Sequence, residues 1–159
     1  ARDCPHPPVY VHAAAQGLPT QHHGMVNYWN DDPLTGPAWT AARHLWKHAD
    51  FTPQDVDVAQ IYDAFTALVP LSLEGYGFCG RGEGGAFTEQ GALETGGRLP
   101  INTGGGGLSE AYVHGFNLID EGVRQLRGTS TAQVPDAATC LVTAGEGVPT
   151  SALLLTNRS

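Results

Sequence analysis

Two phenols stand where they could carry chemistry. Tyr62 closes the β-branched run Val56–Ile61 and precedes Asp63, where a short buried strand gives way to a helical pattern. Strand ends open onto the crevice of an α/β sheet, a common place for a reacting side chain. Tyr112 follows the run Gly104–Gly107, and His114 lies two residues further on, so the two side chains point to different faces of a helix. A phenol with a pKa of about 10 is ready to give a proton. It takes one only where positive potential or strong donors surround it. For Tyr62 taken alone, a buried tyrosine whose hydroxyl finds a partner is the plainer account.

The four glycines Gly104, Gly105, Gly106 and Gly107 lead into a helical pattern. Such a place can offer free backbone N–H groups and the helix dipole to an anion, while glycine equally permits close backbone packing. Neither a GK[ST] sequence nor a GxGxxG is present, so the run is not a nucleotide loop by motif. Asp63, Glu74, Glu83 and Glu110 are candidate acid/base groups, although a lone carboxylate is usually solvated or a cap. His44 and His48 are spaced i, i+4 and His22–His23 are adjacent. No acidic residue completes a metal-binding HExxH, and no metal is expected.

These residues must be held by elements that the pattern predicts. Apolar spacing gives a strand over Val9–Ala15, a loop through Pro37, a helix over Pro37–Ala49 and a strand over Val56–Ile61. Ala64–Tyr76 reads as a helix kinked or interrupted at Pro70. Nine glycines among the 23 residues from Gly75 to Gly97 mark a long loop, and Leu99–Asn102 a brief strand. Leu108–Arg127 reads as one long helix, with Arg124 and Arg127 in its last turn and Gly128 beyond it. Ala138–Thr143 and Thr150–Thr156 form two strands joined as a hairpin. Strands alternating with helices and closed by a hairpin define an α/β layered fold.

With 159 residues, 41% of them apolar and 15% charged, the chain has enough material for one core. Eight Lys+Arg against sixteen Asp+Glu leave no basic stripe for nucleic acid. No apolar run approaches the roughly 20 residues of a membrane span. Cys4, Cys79 and Cys140 are odd in number and form no CxxC pair, which suggests neither a disulfide framework nor a zinc site and fits a reducing cytoplasm. The sequence opens at Ala1 on residues rich in Pro and His. It reads as the second half of a longer protein, with a loop-rich opening segment over 1–35 and the folded part over 36–159.

Three stretches together resemble the C-terminal half of the thiolase superfamily. They are Tyr62–Asp63–Ala64–Phe65, the segment from Asn102 through Gly105–Gly106 to Tyr112, and the turn Ala144–Gly145–Glu146–Gly147. In thiolases the first motif reads NEAF, or HDCF in the sterol carrier protein thiolases. In the second, Tyr112 stands in the place of the catalytic histidine, as Tyr62 stands in that of the Asn or His. The third motif, CxGGGxG in thiolases, lacks its cysteine here. Cys140 sits within the preceding strand and reads as a small buried side chain. Thiolase chemistry needs a thiol and an imidazole to move protons, so this chain departs from an ordinary thiolase.

The motif combination is closer still to the thiolase-like lipid-transfer proteins of actinobacterial steroid catabolism. The resemblance implies a layered α/β/α fold, of which this chain is the C-terminal half only, with the N-terminal half absent. It implies retro-aldol cleavage of a 17-hydroxy steroid side-chain CoA thioester to propionyl-CoA and a 17-ketosteroid. Tyr62 and Tyr112 would be the catalytic residues; Gly104–Gly107, His114, Gly145 and Gly147 would line the substrate and offer oxyanion donors. No cofactor is implied beyond the CoA of the substrate. The implied partner has an OB fold and a zinc ribbon, and the thiolase-like chain forms a homodimer, giving a heterotetramer. A thiolase-like acyltransferase and a non-catalytic subunit that binds acyl-CoA or lipid are the competing readings.

Overall fold

Short β-branched and apolar runs make the strands, and glycine and proline punctuate the helices between them. The structure is a computed structural model, and it describes residues 3, 5–18, 31–110, 113–146 and 150–158. Along the chain, strand β1 (Tyr10–Gly17) is followed by helix α1 (Pro37–His48), strand β2 (Val58–Ile61) and helices α2 (Leu68–Gly75) and α3 (Gly84–Phe87). Helices α4 (Gly106–Ser109) and α5 (Phe116–Arg127) come next, and strands β3 (Thr139–Thr143) and β4 (Thr150–Thr156) end the order.

Among the described residues the strands form one four-stranded sheet in the order β1-β4-β3-β2. The hairpin of β3 and β4 is antiparallel, as its turn residues predict, and β2 lies parallel to β3 with Val58 opposite Cys140. Asp57 fixes that parallel pairing. Its Oδ2 accepts the backbone N–H groups of Ala138 and Thr139, both at 2.9 Å.

Alternation along the strands sends side chains to two cores. Ala59, Ile61, Leu141 and Leu154 pack with Ala38, Ala41 and Leu45 of α1 and Leu73 of α2. Val58, Cys140, Val142 and Leu155 pack instead with Leu118 and Leu126 of α5. Helices therefore cover both faces of the sheet, the α/β/α layering that the family resemblance implies. No helix among the described residues is long and apolar enough to cross a membrane.

Three element expectations are corrected. The helix expected over Leu108–Arg127 is two helices, α4 and α5. Glu110 is extended after α4, and His114 and Gly115 adopt left-handed backbone (φ +33° and +91°), which a continuous helix cannot contain. The helix expected to be interrupted at Pro70 instead starts at Leu68. Pro70 falls in the first turn, where N–H groups have no intrahelical acceptor to lose. Leu99–Asn102 is no full strand: Ile101 makes a single parallel bridge to Ala59.

The glycine-rich segment after α2 is fastened by charge. Glu74 Oε1 accepts the Gly84 N–H at 3.0 Å, and Arg81 reaches both Glu74 Oε2 (3.2 Å) and Asp32 (2.6 Å). Backbone N–H donation, led by Gly82, holds the Glu74 carboxyl below the usual carboxylate range. Glu74 is thus an anchor, and Glu83 likewise closes a turn by accepting the Gly80 N–H at 2.8 Å.

Candidate active site

The end of β2 delivers Tyr62 and Asp63 side by side. The Tyr62 N–H donates to Thr143 O at the end of β3 (3.3 Å), so the residue continues the sheet edge into the loop region. The Asp63 carboxylate is buried, and its Oδ1 accepts the Gly107 N–H at 2.6 Å. Gly106 lies against the same carboxylate: a side chain there would overlap Asp63 Oδ2 and come within 3.0 Å of Asn102 Nδ2. Asn102 is itself left-handed (φ +48°) and accepts the Ile61 N–H on Oδ1 at 2.7 Å. Asp63 and Asn102 therefore rivet the glycine run to the last residues of β2.

A polar network behind the run holds it against α5. The Thr103 hydroxyl donates to Glu121 Oε1 at 2.6 Å and accepts from Gln60 Nε2 (3.0 Å) and Gln125 Nε2 (2.9 Å). Ser130 also donates to Glu121 Oε1, at 2.7 Å. Glu110 accepts from Asn117 Nδ2 in the first turn of α5 at 3.2 Å.

Across from Tyr62 stands His114. The two rings are nearly parallel, with centroids 6.3 Å apart and planes inclined by 13°. His114 also borders a cavity of about 170 Å³, lined mainly by apolar atoms of Phe116, Ile119, Val142, Ala144 and Leu153. The third motif closes the site from behind Tyr62. Gly145 is left-handed (φ +78°), and a Cβ at that position would lie 3.0 Å from Tyr62 O and 3.2 Å from its Cβ and Cδ1.

Of the expected site residues, Tyr62, Gly104–Gly107, His114 and Gly145 are brought around the ends of β2 and β3. Tyr112 and Gly147 lie outside the described residues. Several expected oxyanion donors already have acceptors within the protein. The Gly105 N–H donates to Asn102 O (2.8 Å), Gly107 to Asp63, and Gly145 to Thr143 Oγ1 (3.3 Å). Cys140 is fully buried, and burial pushes its thiol well up, so it lies in the core as a small apolar group. His48 spends Nδ1 on the His44 carbonyl at 2.8 Å, and no group of three or more metal-ligating side chains comes together among the described residues.

Two features escaped the sequence reading. Phe65, Leu108, Val113 and Phe116 are all more than half exposed, and each lies within three residues of Asp63, Gly107 or His114. Phe116 also lines the cavity beside His114, and all four are exposed apolar side chains next to site residues along the chain. Glu146 is buried although ionisable, and its carboxyl oxygens accept the N–H groups of Gly36 (3.0 Å) and Ala38 (2.7 Å) at the start of α1. Desolvation outweighs those donors and raises its pKa to about 7. The turn was conspicuous in the sequence; acceptor and donors 108 and 110 residues apart leave no local signal.

The layered fold, with its site at the glycine run and the hairpin turn, defines a thiolase-like half. Residues 20–156 match the thiolase C-terminal domain-like family, and the chain belongs to it. It is 50% identical over 159 residues to the 17-hydroxy-3-oxo-4-pregnene-20-carboxyl-CoA lyase of Mycobacterium tuberculosis, covering 98% of this chain and 40% of that protein. It is 48% identical over 157 residues to the steroid side-chain-cleaving aldolase of Thermomonospora curvata, again covering 98% and 40%. The solved Ltp2-ChsH2(DUF35) aldolase superposes with a TM-score of 0.95 at 46% identity, covering 99% of this chain and 42% of that one. The chain thus spans about two fifths of the length of these relatives.

Proposed function

We propose that this chain is the C-terminal part of an aldolase that cleaves the side chain of a 17-hydroxy steroid CoA thioester. One base takes the proton of the 17-hydroxyl, the carbon–carbon bond to the side chain breaks, and its electron pair passes into the thioester enolate. An acid returns a proton to the α-carbon, giving a 17-ketosteroid and propionyl-CoA. Tyr62 and Tyr112 are the proton-transfer pair, and such transfers contribute about 10²- to 10⁴-fold each. The observation that carries this reading is a phenol at the end of β2, stacked on His114 beside an apolar cavity, in a chain half identical to a steroid-CoA lyase.

The glycine run and Gly145–Gly147 border the thioester, and the exposed apolar side chains of Phe65, Leu108, Val113 and Phe116 meet the steroid. No cofactor beyond the substrate's CoA takes part. The working assembly is a homodimer of the thiolase-like chain joined to a partner with an OB fold and a zinc ribbon, in the cytoplasm. The two-component name of the Ltp2-ChsH2(DUF35) aldolase supports a heteromeric arrangement. The test is a product assay on the full-length protein with its partner. Propionyl-CoA and a 17-ketosteroid formed from the 17-hydroxy steroid-20-carboxyl-CoA support the reading, and thioester binding without cleavage refutes it in favour of a binding subunit.

A further inference from the structure

Helix α1 begins without a side-chain cap of its own. Its N-cap Gly36 has no side chain to offer, and its first turn carries no acidic residue. Both vacant N–H groups are instead met by Glu146, at 3.0 and 2.7 Å. A carboxylate at a helix N-terminus also gains from the helix dipole. Glu146 follows directly on Gly145, the residue against which the backbone and ring of Tyr62 rest. The same turn is gripped from the other side, where the Thr150 hydroxyl donates to Gly145 O at 2.5 Å. The Gly145 N–H meets Thr143 Oγ1 at the end of β3. Among the described residues, hydrogen bonds to α1, β3 and β4, with the Ala144 N–H donating to Ser151 O at 2.8 Å besides, fix the surface behind Tyr62, and of these the ones from Glu146 to α1 reach outside the hairpin.

We infer that Glu146 is a positioning residue for Tyr62: by tying the Ala144–Glu146 turn to the N-terminus of α1, it sets where the phenol stands. In its role for turnover this rests on the proposed aldolase reading. The geometry it describes does not. Loss of the tie leaves the turn held by the hairpin alone, and a small displacement of a reacting group costs up to about 10²-fold in rate.

The test uses the full-length protein with its partner, carrying 3-fluorotyrosine, with the Tyr62 fluorine resonance assigned by its disappearance in Tyr62→Phe. Glu146→Ala is compared with Ala42→Gly, a substitution inside α1 away from the turn, at temperatures set equally far below each Tm. Glu146→Ala is expected to shift or broaden the Tyr62 resonance and to lower kcat by about tenfold or more, with KM within about threefold. Glu146→Asp, one methylene shorter but still charged, recovers part of both and serves if the alanine variant fails to fold. Ala42→Gly leaves both readouts at their wild-type values. The inference is overturned if the Tyr62 resonance is unmoved in both Glu146 variants, or if Ala42→Gly moves it equally. A wild-type protein that does not cleave the thioester defeats the aldolase reading alone, because the fluorine resonance still decides the positioning.

Discussion

The rings of Tyr62 and His114 lie nearly parallel, 6.3 Å between centroids, although the residues come from different loops 52 positions apart. One loop leaves β2 and the other precedes α5, so the pair bridges the two segments that flank the site. Stacking of this kind is worth about 0.5–1.5 kcal/mol. Its consequence for catalysis is orientation of the phenol. His114→Ala is expected to reduce kcat by about tenfold, whereas His114→Phe, which keeps a flat ring, retains most of it. Steady-state rates of the two variants check this.

Gly145→Ala acts on the same phenol from behind. Its methyl would stand 3.0–3.2 Å from Tyr62 atoms, and the position is left-handed. A non-glycine residue in that conformation costs about 1–2 kcal/mol. The variant is expected to lose that much in denaturant titration and to lose turnover beyond what the stability change explains.

Asp63→Asn tests the rivet between β2 and the glycine run. The carboxylate accepts the Gly107 N–H at 2.6 Å from a buried position, and a hydrogen bond to a charged group contributes about 1.5–3 kcal/mol. A carboxamide keeps one acceptor but puts an N–H₂ where the second oxygen meets Gly106. A loss of about 1–2 kcal/mol is expected by denaturant titration, with unchanged stability contradicting the rivet.

Glu146 makes stability depend on pH. Its folded pKa, about 7, lies above the value of about 4.3 expected when unfolded. Between those values the folded state binds more protons, so the contribution of this group is greatest at the acidic end and falls as pH rises through the window. Among the described residues, the buried Tyr76 is a titratable group that interacts with it, and burial keeps that phenol protonated throughout. The difference in unfolding free energy between wild type and Glu146→Gln is expected to change by about 1–3 kcal/mol across the window. A constant difference contradicts the buried carboxylate.

The sequence carried β1 to β4 and α1 well, because alternation and helical spacing are local patterns that one sheet and two covering layers satisfy directly. It misjudged Leu108–Arg127 for a physical reason. The apolar positions of α4 and α5 continue a single helical phase, and the extended backbone of Glu110 and the left-handed backbone of His114 and Gly115 interrupt it. The motif residues Tyr62, Gly105, Gly106, His114 and Gly145 could be picked out by type and order. What holds them could not: Asp63 on Gly107, Asn102 on Ile61 and Glu146 on α1 are contacts between segments 41 to 110 residues apart.

Proton transfer by the two phenols is read out by turnover of the 17-hydroxy steroid-20-carboxyl-CoA thioester by the full-length protein with its partner, beside Tyr62→Phe and Tyr112→Phe. Each substitution removes one hydroxyl and leaves the ring, so circular dichroism and Tm should match wild type. Propionyl-CoA and the 17-ketosteroid are expected to form only with both phenols present, with each variant slower by about 10²-fold or more. Turnover at the wild-type rate in both variants would contradict proton transfer by the phenols.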